Sequence, residues 1–175
     1  SIIRSFDINT PNIDLEKMNG GVIGGSIKQG IFFEGQYVEI RPGIIKKFAD
    51  NIICIPIIGK ILSIKSEKND LKFAIPGGLI AFSLNIDPSV TKGDELIGNI
   101  VGSIGSLPDC YSEFIIDFKK MNRLDNYSNK LHVDDKIIVS NNGLNIHGII
   151  KKKKNIINEK EKKKTTVIHI KLINK

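Results

Sequence analysis

Ile75-Pro-Gly-Gly-Leu-Ile-Ala-Phe-Ser-Leu-Asn-Ile-Asp-Pro-Ser-Val-Thr-Lys-Gly-Asp-Glu-Leu-Ile-Gly98 joins two apolar runs through a short polar segment. Asp87-Pro88 followed by Thr91-x-x-Asp94 has the form of a helix start, with Thr91 placed to cap the backbone at Asp94. The flanks argue against a helix. Leu79 to Ile86 is apolar and rich in β-formers, and Leu96 to Ile104 is an apolar run cut by glycines, as strands on either side of a tight connection require. The segment therefore reads as strand, connection, strand.

The same punctuation runs along the whole chain. Short segments alternating apolar and polar residues are interrupted by Gly, Pro, Asn or Asp about every ten residues, so an all-β barrel or sandwich with little helix is expected. Ile31 to Ile40 reads as a hairpin turning at Glu34-Gly35, with Tyr37 and Glu39 on one face and Val38 and Ile40 on the other. Arg41-Pro42-Gly43 is read as the end of that strand. Ile52 to Ile64 is a long β-branched run with a bend expected at Pro56 and Gly59. The cluster Gly102 to Pro108 ends the first domain, 1–108, and a second, 109–175, begins with the alternating strand Ser112 to Phe118. The second holds Lys136 to Ser140, a turn at Asn141-Asn142-Gly143, Leu144 to Ile150 and a last strand, Thr166 to Ile173. Few strands remain to close a barrel there, so an open edge is expected.

At 175 residues and 41% hydrophobic, the chain can bury a core. It contains no apolar window long enough to cross a membrane as a helix and no secretory leader pattern at Ser1, so a cytoplasmic protein is expected. The formal charge of +7 favours an acidic partner such as nucleic acid. Much of the excess sits in an insertion, 151–164, where Lys151 to Lys154 and Lys160 to Lys164 read as a solvated loop.

Motifs for chemistry are missing. No GxxxxGK[ST] phosphate loop occurs, and Gly20-Gly-Val-Ile-Gly-Gly-Ser26 lacks the lysine and following helix that would make it one. That cluster reads instead as a place of close strand approach, with a bare surface for a nucleotide as the alternative. Asn129-Lys-Leu-His132 lacks the aspartate of a guanine-reading motif. Ser103 and Ser106 are not in a nucleophile elbow. His132, His147 and His169 are too far apart to mark a metal site. Asp134-Asp135 is read as a solvated turn, and Asn126-Tyr-Ser128 fits a glycosylation sequon without any signal for secretion. Cys54 and Cys110 have no CxxC spacing and read as buried reduced thiols. The residues thus describe a binding module without catalysis, cofactor or metal.

Several of these segments together, Arg4 to Asn9, Gly20 to Ser26, Gly35 to Gly43 and Pro76 to Ile80, resemble one family. With Ile86-Asp-Pro-Ser-Val-Thr-Lys-Gly-Asp94 and Leu96-Ile-Gly98, they are similar to the gamma subunits of eukaryotic and archaeal translation initiation factor 2. The similarity is close over 1–108 and looser beyond. It implies a translation-factor domain II over 1–108 and an incomplete domain III over 109–175, both β-barrels. It implies, for the full protein, a GTP-binding domain carrying GTP and Mg, delivery of initiator methionyl-tRNA to the small ribosomal subunit, and alpha and beta subunits as partners, with no membrane. Domain II would also dock the alpha subunit, at residues the resemblance does not assign. By motif position it nominates Val22, Ile23, Gly24 and Gly25 with Gly77, Gly78 and Leu79 as a cradle for the tRNA 3′ end. Arg41, Lys46 and Lys47 are nominated on charge to reach phosphate. The chain departs from the family at Ala81 and Ser83, where glycines are usual, and at Lys119 and Lys120, where apolar residues are. The other expectation is a self-sufficient barrel that binds RNA through its lysine-rich segment.

Overall fold

The computed structural model describes residues 1–14, 17–48, 51–119, 121, 131–158 and 163–173, with side chains left out at 47–48, 51–52, 157–158 and 163–165. The sequon at Asn126, Lys120 and Asn129-Lys130 lie outside the described residues. The chain divides into two compact units, Ser1–Cys110 with Asn142–Leu144, and Tyr111–Asn141 with Asn145–Lys175.

Among the described residues the first unit has nine strands: β1 (Ile2–Phe6), β2 (Val22–Gly25), β3 (Phe32–Phe33), β4 (Tyr37–Phe48), β5 (Asn51–Ser66), β6 (Asn69–Leu71), β7 (Phe73–Ala74), β8 (Ile80–Leu84) and β9 (Ile100–Ser103). Its main sheet has the order β1-β2-β8-β5-β4-β9, with β6 beside β5, and every pairing is antiparallel. The two ends of that order meet. Ile2 N–H donates to the Asn99 carbonyl at 2.9 Å and Gly98 N–H to the Ile2 carbonyl at 3.0 Å, so the residues leading into β9 cover the edge of β1. Curling the sheet in this way removes an exposed edge, the reason barrels suit short alternating strands. Ile40, Ile61, Ile64 and Leu84 fill the interior at 1% exposure or less.

Local chemistry explains where the structure departs from the sequence reading. Glu34-Gly35 does turn, with Gly35 at a φ of +83°, but β3 pairs with β7 and not with β4. Arg41-Pro42-Gly43 does not end a strand; β4 runs through it, and the register shifts between Ile40 and Ile44. A bulge there leaves the proline outside the ladder pairing it cannot make. A Cβ on Gly43 would overlap the Ile55 carbonyl of β5, so the crossing needs glycine. Asn99 supplies the bond the bulge lacks, its Oδ1 accepting from Gly43 N–H at 2.9 Å. β5 is continuous through Pro56 and Gly59. β9 starts at Ile100, four residues later than expected.

The opening segment is a connection between β8 and β9, but it is wound as 3₁₀ turns over Pro88–Asp94. Its cap is Asp87, whose side chain accepts from Ser89 N–H at 2.9 Å, with proline in the first turn. Thr91, expected to be the cap, is instead fully buried; its hydroxyl lies 2.8 Å from the Pro88 carbonyl and 3.2 Å from that of Phe6. Lys92 and Gly93 leave helical geometry, which divides the turns.

Among the described residues the second unit is a four-stranded sheet of order β10-β13-β12-β11, with β10 Glu113–Phe118, β11 Lys136–Asn141, β12 Leu144–Asn158 and β13 Lys163–Leu172. Ile150, Ile168 and Ile170 are buried at its centre, against Phe114, Ile116 and Val139. The lysine run is not a loop. Lys151 to Lys154 lie within β12, paired to β13, because the apolar alternation of Val167 to Ile170 gives them a partner strand.

Candidate functional site

Register across four adjacent strands of the first unit separates an inner row from an outer one. Ser5 pairs with Ile23, Ile23 with Phe82 and Phe82 with Ile64, and all four are buried. One residue along each strand, Arg4 pairs with Gly24, Gly24 with Ala81 and Ala81 with Lys65. Because successive side chains point to opposite faces, this second row faces outward. The side chains of Arg4 and Lys65 are 67% and 56% exposed. Between them, Gly24 and Ala81 present at most a methyl group. The outer face is therefore a shallow flat strip with a cation at either end.

The Pro76 to Leu79 loop adjoins that strip, since Gly25 pairs with Ile80. Gly77 and Gly78 have φ of +127° and +65° with open space where a side chain would stand, and Leu79 is 70% exposed. Of the seven nominated cradle residues, Gly24, Gly25 and the three loop residues are brought to one rim. Val22 and Ile23 are not: both are buried, at 7% and 3% exposure. Ile23 packs into the interior cluster, while Val22, on the opposite face of β2, is covered without joining that cluster.

The nominated phosphate contacts are elsewhere. Arg41 lies on β4, three strands from β2 in the sheet order, and its guanidinium is engaged. Its Nε donates to Glu39 Oε1 at 2.7 Å, and its Nη1 to Asp109 Oδ1 at 2.8 Å and the Pro108 carbonyl at 3.3 Å. Glu39, read as sharing a face with Tyr37, is 4% exposed where Tyr37 is 59% exposed. Its second oxygen accepts from Gly105 N–H at 2.9 Å. The Arg41 hydrogen bond, then that of Gly105, hold the carboxyl below the usual glutamate range. This is a structural clasp fastening the 105–109 segment to β4. Lys46 is exposed on β4, opposite Ile53, and the Lys47 side chain lies outside the described residues.

Arg4 and Lys65 were missed by sequence reasoning. Arg4 Nε is 3.0 Å from Asp94 Oδ1, which also accepts from Ser5 N–H at 2.8 Å. Lys65 Nζ is 3.1 Å from Asp70 Oδ1. No local motif marks either; only the pairing of four strands from distant parts of the sequence sets them about one row.

Other candidate chemistry is sparse. A cavity of ≈ 500 Å³ opens among Ile2, Ile23, Phe32, Phe82, Val101 and Leu107, and its walls are largely apolar. Among the described residues no three His, Cys, Asp or Glu side chains gather as a metal site would need. His169 and His132 each face a single carboxylate, Glu113 at 3.3 Å and Asp135 at 3.7 Å. Cys54 and Cys110 are free thiols, as expected, but not buried ones: Cys54 is half-buried and Cys110 exposed at the surface. Partial burial of its sulfur, then a hydrogen bond with Cys54, push the Cys110 thiol up to about 11.

No family model matches the chain. Over 124 residues, 70% of the chain, it is 44% identical to eukaryotic translation initiation factor 2 subunit 3 of Drosophila melanogaster, of which this is 26%. It is likewise 44% identical over 124 residues to eukaryotic translation initiation factor 2 subunit gamma of Schizosaccharomyces pombe, 28% of that protein. The chain spans about a quarter of the length of these curated relatives.

Proposed function

Because its matched 124 residues belong to the gamma-subunit family of eukaryotic translation initiation factor 2, we propose that this chain contributes binding surface, and no catalysis, to such a factor. Its first unit receives the aminoacylated 3′ end of initiator methionyl-tRNA on the Arg4–Gly24–Ala81–Lys65 strip and the adjoining Gly77 to Leu79 loop. The observation that carries this reading is the 44% identity to initiation factor 2 subunits; the strip supplies a chemistry to match it. A base plane can lie against Gly24 and Ala81, where side chains do not intervene, with Leu79 as an apolar contact. Arg4 and Lys65 reach phosphate on either side. Both are held only by exposed ion pairs, which contribute roughly 0–1 kcal/mol and exchange readily for a phosphate. GTP and Mg binding, the alpha and beta subunits and delivery to the small ribosomal subunit in the cytoplasm are assigned to the whole protein.

The strip is tested in the complete factor by titrating methionylated and deacylated initiator tRNA at fixed salt. Gly24→Leu leaves the fold intact, since nothing approaches a Cβ there closer than 3.9 Å, and covers the flat face. The expected result is loss of at least about ten-fold in affinity for methionyl-tRNA, or 1.4 kcal/mol, with the preference over deacylated tRNA abolished. Unchanged affinity and preference in both Gly24→Leu and the Arg4→Gln, Lys65→Gln pair would refute the assignment.

A further inference from the structure

The charge of the chain is concentrated in one element pair. Between Lys151 and Leu172 lie nine lysines and two glutamates, a net +7 that equals the formal +7 of all 175 residues. The remainder of the chain is neutral. Seven of these lysines, Lys151 to Lys154, Lys163, Lys164 and Lys171, lie on a two-stranded ribbon, β12 against β13, paired from Gly148↔Leu172 out to Asn158↔Lys163. Register gives the lysines distinct positions. Ile150, facing Ile170, points into the buried side. Lys151 takes the extra position of a bulge, and Lys152 and Lys154 then face His169 and Val167 on the outer side. Lys153 turns the other way, its Nζ donating to the Leu131 carbonyl at 2.9 Å. Lys151, Lys152 and Lys154 are all exposed.

We propose that the β12–β13 ribbon is an RNA-docking arm that lies along the phosphate backbone of a duplex, with Lys151, Lys152 and Lys154 as its phosphate contacts. Two chemical features select this partner. Residues 151–172 contain no Phe, Tyr, Trp or Arg. Single-stranded RNA is gripped by stacking bases on such side chains, whereas a duplex hides its bases and offers phosphate. Lysine binds phosphate as a point charge, and each phosphate it neutralises releases counterions, so a ribbon carrying several lysines gains affinity from an evenly charged backbone. The arm belongs to the second unit and is independent of the tRNA 3′-end cradle of the first.

The test uses the whole 175-residue chain and a blunt RNA duplex of about 16 base pairs, the span of a double-stranded RNA-binding domain. Affinity is followed by fluorescence anisotropy across salt. Replacing Lys151, Lys152 and Lys154 with Gln should flatten the log–log salt slope by about 3. Between about 50 and 200 mM salt, the unaltered chain should then lose about forty-fold more affinity than the variant. Replacing the same three with Arg should preserve the slope. Replacing Lys17, Lys68 and Lys92, exposed lysines of the first unit, with Gln should change it little. The proposal fails if the off-arm triple flattens the slope as much, if the Arg triple does not preserve it, or if the arm triple leaves it unchanged. It fails equally if poly-glutamate or phosphatidylserine vesicles bind as tightly with the same dependence on these lysines. Failure here is separable from failure of the cradle: the arm triple should weaken methionylated and deacylated tRNA alike, while Gly24→Leu alters the ratio between them.

Discussion

Gly20 and Gly24 are four residues apart in one glycine-rich segment and serve opposite purposes. A Cβ at Gly20 would run into the backbone carbonyl of Leu84, which no rotation of a side chain can relieve. Gly20→Ala should therefore destabilise the first unit by about 1–3 kcal/mol, in the range of overpacking. At Gly24 the nearest atoms to a Cβ are the Arg4 Cβ at 3.9 Å and the Ile80 carbonyl at 4.0 Å, and alanine loses less chain entropy than glycine in a strand. Gly24→Ala should be neutral or stabilise by up to about 1 kcal/mol. Urea denaturation of both variants decides the matter; equal losses would show that Gly24 is also held by packing. Cys110 allows a chemical test at the same scale. With its thiol pushed up to about 11, thiolate is scarce at neutral pH, and only the thiolate is nucleophilic. Iodoacetamide at pH 7.5 should modify Cys110 more slowly in the native chain than in urea, despite its exposure, as peptide mass spectrometry of timed aliquots would record.

Among the elements, the 3₁₀ turns over Pro88–Asp94 show what a local pattern can and cannot specify. Aspartate before proline is a cap signal with a mechanism, a short acceptor ahead of a residue that has no N–H to satisfy. At Asp87-Pro88 it acts, yet the sequence reading places the cap at Thr91, from the spacing Thr91-x-x-Asp94, and sets the helix aside. Both of those side chains are claimed by distant backbone: Thr91 meets the Phe6 carbonyl and Asp94 accepts from Ser5 N–H. Removing the Thr91 hydroxyl with Thr91→Val keeps the shape and strands buried acceptors, so it should cost about 1–3 kcal/mol. A denaturation midpoint equal to that of the unaltered chain would mean the hydroxyl is not needed to fasten this connection to β1. The all-β class, the turn at Gly35 and the alternation of core residues were legible, because each depends on neighbours in sequence. The strip of Arg4, Gly24, Ala81 and Lys65 was not, since it exists only once β1, β2, β8 and β5 are in register. The lysine run is exposed, as expected, but it is strand and not loop: four charges in a row carry no strand signal until a partner is found for them.

For the molecule as a whole, acid should be the revealing perturbant, because carboxylates fasten both units at points the apolar core does not reach. Hydrogen bonds from Arg41 and Gly105 hold Glu39 below its ordinary value, those from Ser89 hold Asp87, and those from Ser5 and Arg4 hold Asp94. In the second unit a hydrogen bond from Lys171 does the same for Glu113, aided by the charge of Lys171 and by His169. Each group binds its proton less readily when folded than when unfolded. At mildly acidic pH the unfolded chain consequently carries more protons, so stability rises with pH through that window. The stabilisation from these four is complete above the ordinary carboxylate range, near 4 to 4.5, and is lost as pH falls through their lowered folded values. Urea midpoints should hold steady from pH 7 to about 5 and fall between about 4.5 and 3. Glu39→Gln with Asp94→Asn should start from a lower midpoint at pH 7 and fall less steeply over the same range, since two of the groups that take up protons on unfolding are gone. A double variant with the slope of the unaltered chain would place the acid sensitivity elsewhere and leave the Glu39 clasp and the Asp94 anchor without a role in stability.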